Sequence, residues 1–146
     1  MKISTKGTYS IRIMAEIAKT EDNKLATVSY LSEKTNITEK YLEKIISKLL
    51  RAKLLVSFRG ANGGYKLNKS ANKITVKQIL NATEGNMKSV SCIDEGKNCD
   101  MASKCLTINL WAGLTKVVDD YLTGITLEDV INKKIKLAKV VPVDLG

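Results

Sequence analysis

One stretch constrains the fold of this chain more than any other: two short helical segments joined by a tight turn and followed at once by a glycine-rich hairpin. The first segment reads VSYLSEKT and follows Thr27, a residue type that favours helix N-caps; Asn36 ends it. The second opens at Thr38 and reads EKYLEKIISKLLRAK, with apolar residues at helical spacing. This pattern predicts a helix-turn-helix, although ordinary helical hairpins show the same local signal.

The segment after the second helix reads LLVSFRGANGGYKL and predicts a β-hairpin. Residues 54–58 are β-prone, residues 60–64 supply a flexible turn, and residues 65–67 resume an alternating pattern. A hairpin directly after such a helix pair is the wing of a winged helix; a plain surface hairpin is the competing interpretation. In a wing, Arg59 and Lys66 would be placed to contact phosphate or the narrow minor groove of DNA.

Positive charge is concentrated in the same half of the chain. Residues 1–70 carry 14 Lys and Arg against 6 Asp and Glu, whereas residues 71–146 carry 10 against 9. A basic surface of this kind is an electrostatic footprint for nucleic acid, and a merely solvated lysine-rich face is the alternative. In a helix-turn-helix the second helix enters the major groove, so Thr38, Glu39, Lys40 and Tyr41 at its start would face base edges.

The other helices follow from apolar spacing. The first helix carries Ile11, Met14, Ala15 and Ala18 on one face, with Thr8 as its expected N-cap. A short helix after the hairpin places Val76, Ile79 and Leu80 together, and a final helix is capped by Thr126. Between these two, a long helix is expected to begin near Cys105.

The long helix has an apolar flank that few polar residues interrupt. Winged helices that read DNA bind paired half-sites as dimers, so we expect this flank to pack against a second copy, with packing inside one chain as the competing explanation. The residues expected to join the two copies are Leu110, Trp111, Leu114, Val118 and Tyr121.

The predicted fold class is therefore mainly α with a small β wing, namely a winged helix-turn-helix with a long C-terminal dimerisation helix. The expected organisation is a DNA-binding domain at 1–84, a cysteine-bearing loop at 85–104, the dimerisation and final helices at 105–133, and a tail at 134–146. No leader or membrane span is recognised, which favours a cytoplasmic protein without a membrane partner. The chain lacks histidine and any evident nucleophile arrangement, which argues against an enzyme.

All three cysteines lie within fourteen residues, in CIDEGKNCDMASKC, and are named Cys92, Cys99 and Cys105. Zinc sites usually pair cysteines at closer spacing and add a fourth Cys or His. Three thiolates on a loop, the last at a helix N-terminus that would lower its pKa, suit an iron–sulfur cluster better. Thiols that form a disulfide under oxidative stress, or that only fill space, remain the alternatives.

Taken together, MKISTKGTYSIRIMAEIA, YLEKIISKLLRAKLLVSFRGANGGYKL and CLTINLW resemble the Rrf-two family of winged-helix transcription regulators, and within it the iron–sulfur cluster regulators. The resemblance covers residues 1–133. It implies a homodimer that binds promoter DNA and a cluster held by Cys92, Cys99 and Cys105, with 2Fe–2S favoured over 4Fe–4S. It places DNA contacts on the N-terminus, the second helix of the pair and the wing: Lys2, Lys6, Thr38, Glu39, Tyr41, Lys44, Arg59, Ala61 and Gly63.

One departure concerns the fourth ligand of the cluster. The related regulators carry a histidine three residues after the last cysteine, where this chain has Ile108, which cannot coordinate. Relatives that sense nitric oxide use a carboxylate at the start of the first helix, where this chain has Thr8. Asn109, a loop carboxylate, a side chain of the partner copy, a small thiol or water remain as candidates.

The resulting hypothesis is a cluster-dependent repressor of iron–sulfur assembly or stress genes. The first alternative is a cluster-free regulator controlled by thiol oxidation or by a protein partner. An iron–sulfur carrier or enzyme is the second alternative.

Overall fold

A computed structural model describes residues 2–88, 90 and 101–135 of the chain. Its elements are α1 Thr5–Lys19, α2 Val28–Thr35, α3 Glu39–Arg51, β1 Leu55–Phe58, β2 Gly64–Leu67, α4 Val76–Glu84, α5 Ile108–Thr123 and α6 Leu127–Ile131. Single 3-10 turns occur at Ala71–Lys73 and Ala102–Lys104. The fold is mainly helical with one two-stranded antiparallel sheet, which confirms the predicted fold class.

The core lies between α1, the helix pair α2 and α3, α4 and the base of the hairpin. Its fully buried members come from every one of these elements, and the strand β1 contributes Leu55. Leu127 of α6 is also completely buried, and its backbone N–H donates to the carbonyl of Ile74 at 2.8 Å. The chain therefore returns to the winged-helix body after α5. Together these side chains are Ile13, Met14, Ile17, Leu31, Leu42, Ile45, Ile46, Leu49, Leu55, Ile74, Ile79 and Leu127.

The start and the buried face of α1 differ from the prediction. The helix begins at Thr5 with Ser4 as its N-cap, so the expectation that Thr8 caps it was wrong; Thr8 lies one turn inside and donates to the carbonyl of Thr5. Ile13 and Ile17 are buried, whereas Ile11 is only partly buried. Apolar residues surround much of this helix, so its inward face is decided by what packs on it.

The start of α5 also differs. The helix was expected to begin near Cys105, but it begins at Ile108, and Cys105 has extended backbone after a 3-10 turn. The final helix agrees with its prediction: the hydroxyl of Thr126 accepts from the backbone N–H of Asp129, whose carboxylate accepts in return from the N–H of Thr126. This reciprocal pair is a capping box.

The predicted boundaries at 85–104 and 134–146 stay predictions, because most of these residues lie outside the described part of the chain. Within the described part, no helix is both long and apolar enough to cross a membrane.

Candidate nucleic-acid interface and cysteine segment

The turn between α2 and α3 is fixed by local hydrogen bonds. Thr27 caps α2 as predicted, accepting from the N–H of Tyr30 at 3.1 Å. Asn36 ends α2 in the left-handed region, with φ of 56°, a conformation that Asn adopts more readily than most residues. The hydroxyl of Ser32 then donates to the carbonyl of Ile37 at 2.7 Å. These contacts set the angle at which α3, hereafter the recognition helix, leaves the pair.

The recognition helix is amphipathic. Leu42, Ile45, Ile46 and Leu49 face the core, as predicted. On the outer side, Thr38 (the N-cap residue), Glu39 and Lys44 are all exposed. A groove of about 660 Å³ runs along this outer side and is lined by Lys6, Lys40, Tyr41, Glu43, Lys44, Ile45, Ser47, Lys48 and Arg51.

Tyr41 is presented differently from the other predicted contact residues. Its ring is partly buried and meets the ring of Tyr9 edge to face, with 5.9 Å between centroids. The guanidinium of Arg12 lies 5.3 Å from the centroid of Tyr9 and donates to the carbonyl of Thr35 at 3.3 Å. This arrangement connects α1 to both helices of the pair and restrains Tyr41.

The wing turn requires glycine at two places. Gly60 has φ of 112°, which disfavours other residues. A Cβ on Gly63 would lie 2.3 Å from the carbonyl oxygen of Phe58, which is backbone and cannot move aside. Arg59 and Ala61 are exposed at this turn, whereas the Lys66 ammonium donates to the carbonyl of Asp22. Lys66 is thus directed at the loop after α1.

The N-terminal residues are joined to the end of α4. Lys2 and Lys6 are exposed, and between them the Ser4 hydroxyl donates to the carboxylate of Glu84. Gly7 permits this approach, because a Cβ there would lie 2.6 Å from a carboxylate oxygen of Glu84. The sequence carries no local signal for a contact between residues this far apart.

The recognition helix is joined to the same end of α4. The ammonium of Lys48 donates to the carbonyl of Thr83 at 3.3 Å. The Thr83 hydroxyl is buried and lies 3.3 Å from that of Ser10 in α1. The last turn of α4 therefore contacts both α1 and the recognition helix, and Gly85, where the chain departs toward the cysteines, ends it.

Cys105 is the one cysteine inside the described residues; Cys92 and Cys99 lie outside them. Its thiol is partly exposed, and its sulfur lies 3.5 Å from the hydroxyl of Thr107. Hydrogen bonds from the Thr107 hydroxyl and backbone N–H, and more weakly from the N–H of Ile108, lower the pKa of Cys105. The direction agrees with the prediction, and the donors belong to the start of α5: Thr107 is its N-cap and Ile108 its first residue.

A partly exposed thiol with a lowered pKa has the chemistry that a metal ligand needs, since the thiolate is the ligating form. Ile108 is the first residue of α5 and is half-buried, while Asn109 beside it is exposed. Among the described residues, no three His, Cys, Asp or Glu side chains come together as a metal site. The ligand set expected from the sequence rests on two residues beyond that range.

The helix α5 carries an apolar stripe on its outer side. Leu110, Val117 and Tyr121 are 61%, 66% and 49% exposed, and Leu114 between them is 40% exposed. Trp111 and Val118, the other residues expected at a dimer contact, are half-buried. On another side of the helix, Asp119 forms a salt bridge of 2.6 Å with Lys77 of α4.

Several residues that line a groove beside the N-terminus and the recognition helix were not among the predicted DNA contacts. Lys48, Arg51 and Glu84 bring charges from α3 and α4 next to Lys6. The spacing of Lys44, Lys48 and Arg51 on one helix face was visible in the sequence. Their position beside the N-terminus was not, because it depends on the packing of α1 and α4.

Comparisons with known proteins agree with this architecture. Residues 3–133 match the model of the Rrf2 (Rrf-two) family, described as an iron-dependent transcriptional regulator. A provisionally named HTH-type transcriptional regulator of Neisseria meningitidis serogroup A is 37% identical over 92% of this chain and 90% of its own length. The HTH-type transcriptional regulator IscR of Pectobacterium carotovorum is 33% identical over 92% of this chain and 81% of its own length.

Solved structures give the same result. The global cysteine regulator CymR of B. subtilis superposes with a TM-score of 0.74 at 33% identity, covering 91% of this chain and 98% of its own. IscR of T. potens has a TM-score of 0.71 at 27% identity, with 95% and 93% covered. The family description and the curated relatives name transcriptional regulators, which confirms the expectation of a regulator and not an enzyme. The chain belongs to the Rrf2 family of winged-helix transcriptional regulators.

Proposed function

We propose that this protein is a homodimeric repressor that binds promoter DNA of iron–sulfur assembly or stress genes and whose affinity for DNA depends on an iron–sulfur cluster. The observation that carries the proposal is the position of α4. Its last turn contacts the DNA-facing elements through Lys48 and Ser4, and the cysteine segment begins directly after it. A structural change in the cysteine segment that moves the last turn of α4 therefore also moves residues expected to face DNA.

The dimer is supported by the apolar stripe of α5. Four large apolar side chains exposed along one line of a helix are costly in water and are typical of an interface. A second copy is the natural occupant, because winged helices that read two half-sites require a pair of recognition helices.

Cys92, Cys99 and Cys105 are the residues that would hold the cluster. When bound, a cluster supplies an oxidation-sensitive link across the cysteine segment. The donors around Cys105 favour its thiolate, and Ile108 offers no side-chain ligand. The related IscR proteins and the iron-dependent description of the family support this assignment over a zinc site. A 2Fe–2S cluster remains favoured over 4Fe–4S.

DNA contact is proposed for the residues expected from the sequence. Lys2, Lys6, Thr38, Glu39 and Lys44 are exposed. Arg59, Ala61 and Gly63 belong to the wing turn. Gly63 is needed there because a Cβ at this position would collide with the carbonyl oxygen of Phe58. Tyr41 would act through its outer edge, since its ring packs on Tyr9.

The first experiment purifies the protein without oxygen and measures iron, sulfide and the absorption spectrum. A selection from random duplex DNA then compares protein with and without its cluster. We expect a defined motif of two half-sites, and a difference in affinity between the two forms. Protein that lacks iron and sulfide even after reconstitution contradicts the cluster, and selection without any enriched motif contradicts sequence-specific binding.

The contact between wing and DNA has its own test. Arg59→Ala is expected to weaken binding and to lower the slope of log affinity against log salt by about 0.9 for each phosphate that is no longer neutralised. An unchanged slope means that the wing does not touch the DNA backbone.

A second candidate function is a cluster-free regulator controlled by thiol oxidation. It is favoured by the partly exposed thiol of Cys105 and by the similarity to CymR, one of whose solved structures, from Staphylococcus aureus, is of an oxidised form. Treating metal-free protein with peroxide separates the two functions. A change in DNA affinity that disappears in Cys105→Ser supports thiol control; a change that requires bound iron supports the cluster.

A further inference from the structure

Two neighbouring grooves meet beside the recognition helix. One, of about 660 Å³, follows the outer face of the helix; the other, of about 410 Å³, lies between the start of α1, the last turn of α3 and the end of α4. The residues that line both grooves are Lys6, Lys48 and Arg51. We name the place where the two grooves meet the basic cleft. All three of its shared residues are cations; the sequence places Lys48 and Arg51 on one helix face, and the fold brings Lys6 beside them.

The cleft is built by contacts between distant parts of the chain. The ammonium of Lys48 is held over the end of α4 by the Thr83 carbonyl at 3.3 Å. Arg51 follows three residues later on the same helix face and is exposed. Lys6 arrives from α1, whose first turn is joined to α4 through Ser4 and Glu84.

The positive charge of the cleft is not balanced within the described part of the chain. No salt bridge of 4 Å or less is found there for Lys6, Lys48 or Arg51, although four other lysines form such pairs. Glu43 lines one of the two grooves and Glu84 the other, but within the described residues neither carboxylate forms a salt bridge with these three cations. Three gathered cations without a salt-bridge partner favour an anion.

The cleft lies at the correct end of the recognition helix for the DNA backbone. Ten residues separate Thr38 from Lys48, or about 15 Å along the helix axis. The start of such a helix faces base edges in a major groove about 12 Å wide, and its far end approaches the phosphates at the border of the groove. Backbone phosphates hold many of the contacts that position a protein on DNA without reading its sequence.

We propose that Lys6, Lys48 and Arg51 form a binding site for neighbouring backbone phosphates of the operator, with Lys48 positioned by Thr83. This inference rests on the proposed function, because it requires the recognition helix to face DNA. It adds Lys48 and Arg51 to the contact surface and gives them a role in affinity and salt dependence, with no role in sequence preference.

The test measures binding of the full-length protein to a selected duplex and to a scrambled duplex of equal length, between about 50 and 200 mM salt. Arg51→Gln should lower the salt slope by about 0.9 for each phosphate that it leaves without a cation, equally on both duplexes, and should not alter the preference between them. Arg51→Lys should keep the slope, because a point charge is retained. Lys48→Gln should act like Arg51→Gln.

Lys73→Gln is the matched control, since Lys73 is exposed on the 3-10 turn Ala71–Lys73 and lines neither groove. It should leave the slope unchanged. An unchanged slope in Arg51→Gln with an unaltered melting temperature overturns the phosphate site, as does an equal decrease of the slope in Lys73→Gln. If the wild-type protein itself shows no preference for the selected duplex, the proposed function fails instead.

Discussion

The ammonium of Lys48 lies 3.3 Å from the carbonyl oxygen of Thr83 and donates a hydrogen bond to it. The bond joins the last turn of the recognition helix to the last turn of α4, and residue 85 after that turn begins the segment that carries the cysteines. In the first turn of α4, the ammonium of Lys77 forms a salt bridge of 2.6 Å with the carboxylate of Asp119 in α5. The helix α4 is thus in contact with the recognition helix at its end and with the proposed dimerisation helix through its first turn.

The joint between α1 and α4 should contribute to stability. Ser4→Ala removes the donor to the partly buried carboxylate of Glu84, and we expect a decrease of about 1 kcal/mol in the free energy of unfolding, measured in urea. Thr8→Ala is the control and should change it by less than about 0.5 kcal/mol, because Thr8 is exposed and is not the N-cap. Equal decreases would return the capping role to Thr8.

The cap of α6 predicts a pH dependence. Hydrogen bonds from the backbone and then the hydroxyl of Thr126 hold the pKa of Asp129 below its ordinary value of 3.8. Because the carboxyl pKa is lower in the folded state, ionised Asp129 adds to the free energy of unfolding at pH values above its ordinary pKa. This contribution disappears as the pH falls through the pKa of the folded state. The melting temperature of Asp129→Asn should therefore lie below that of wild type at neutral pH and approach it in acid below 3.8. Parallel curves would contradict the prediction.

The apolar stripe on α5 predicts the assembly state. Leu114→Glu places a charge in the middle of the exposed apolar stripe and should convert the proposed dimer to monomer, as measured by sedimentation. Lys116→Ala is the control, because Lys116 pairs with Asp120 on another side of the helix. A Leu114→Glu protein that remains dimeric would place the interface elsewhere.

The donors around Cys105 predict its reactivity. A lowered pKa means more thiolate at a given pH, so Thr107→Val, which removes the first of these donors, should move the rate of alkylation at Cys105 toward higher pH. The rate is followed by mass spectrometry of the Cys105 peptide in reduced, metal-free protein. Unchanged pH dependence would mean that Thr107 does not control the thiol.

The residue three positions after Cys105 predicts how long the proposed cluster persists in air. Ile108 is the first residue of α5, and Ile108→His would add a ligand where the chain has none. We expect slower decay of the cluster absorption in air than in wild type. Ile108→Leu keeps an apolar side chain and serves as the control; equal decay in all three proteins would mean that a vacant ligand position is not what makes the cluster labile.

The helix pair and the wing could be predicted from the sequence because their signals are local. Thr27 caps α2 and Asn36 ends it, as their residue types indicate. Gly60 and Gly63 mark a turn that other residues would strain. By contrast, the cysteine spacing predicted a ligand set, of which the described structure contains Cys105 alone.

Hydrophobic periodicity and capping residues determined where most helices lie, because each depends on residues three or four positions apart. Only the tertiary structure decided that Ile13 and Ile17 form the inward face of α1, that Leu127 returns to the core, and that the basic cleft gathers cations from α1 and α3. These features depend on contacts between residues up to 80 positions apart, such as Ser4 and Glu84. Local patterns carry no information about such contacts until the helices have packed.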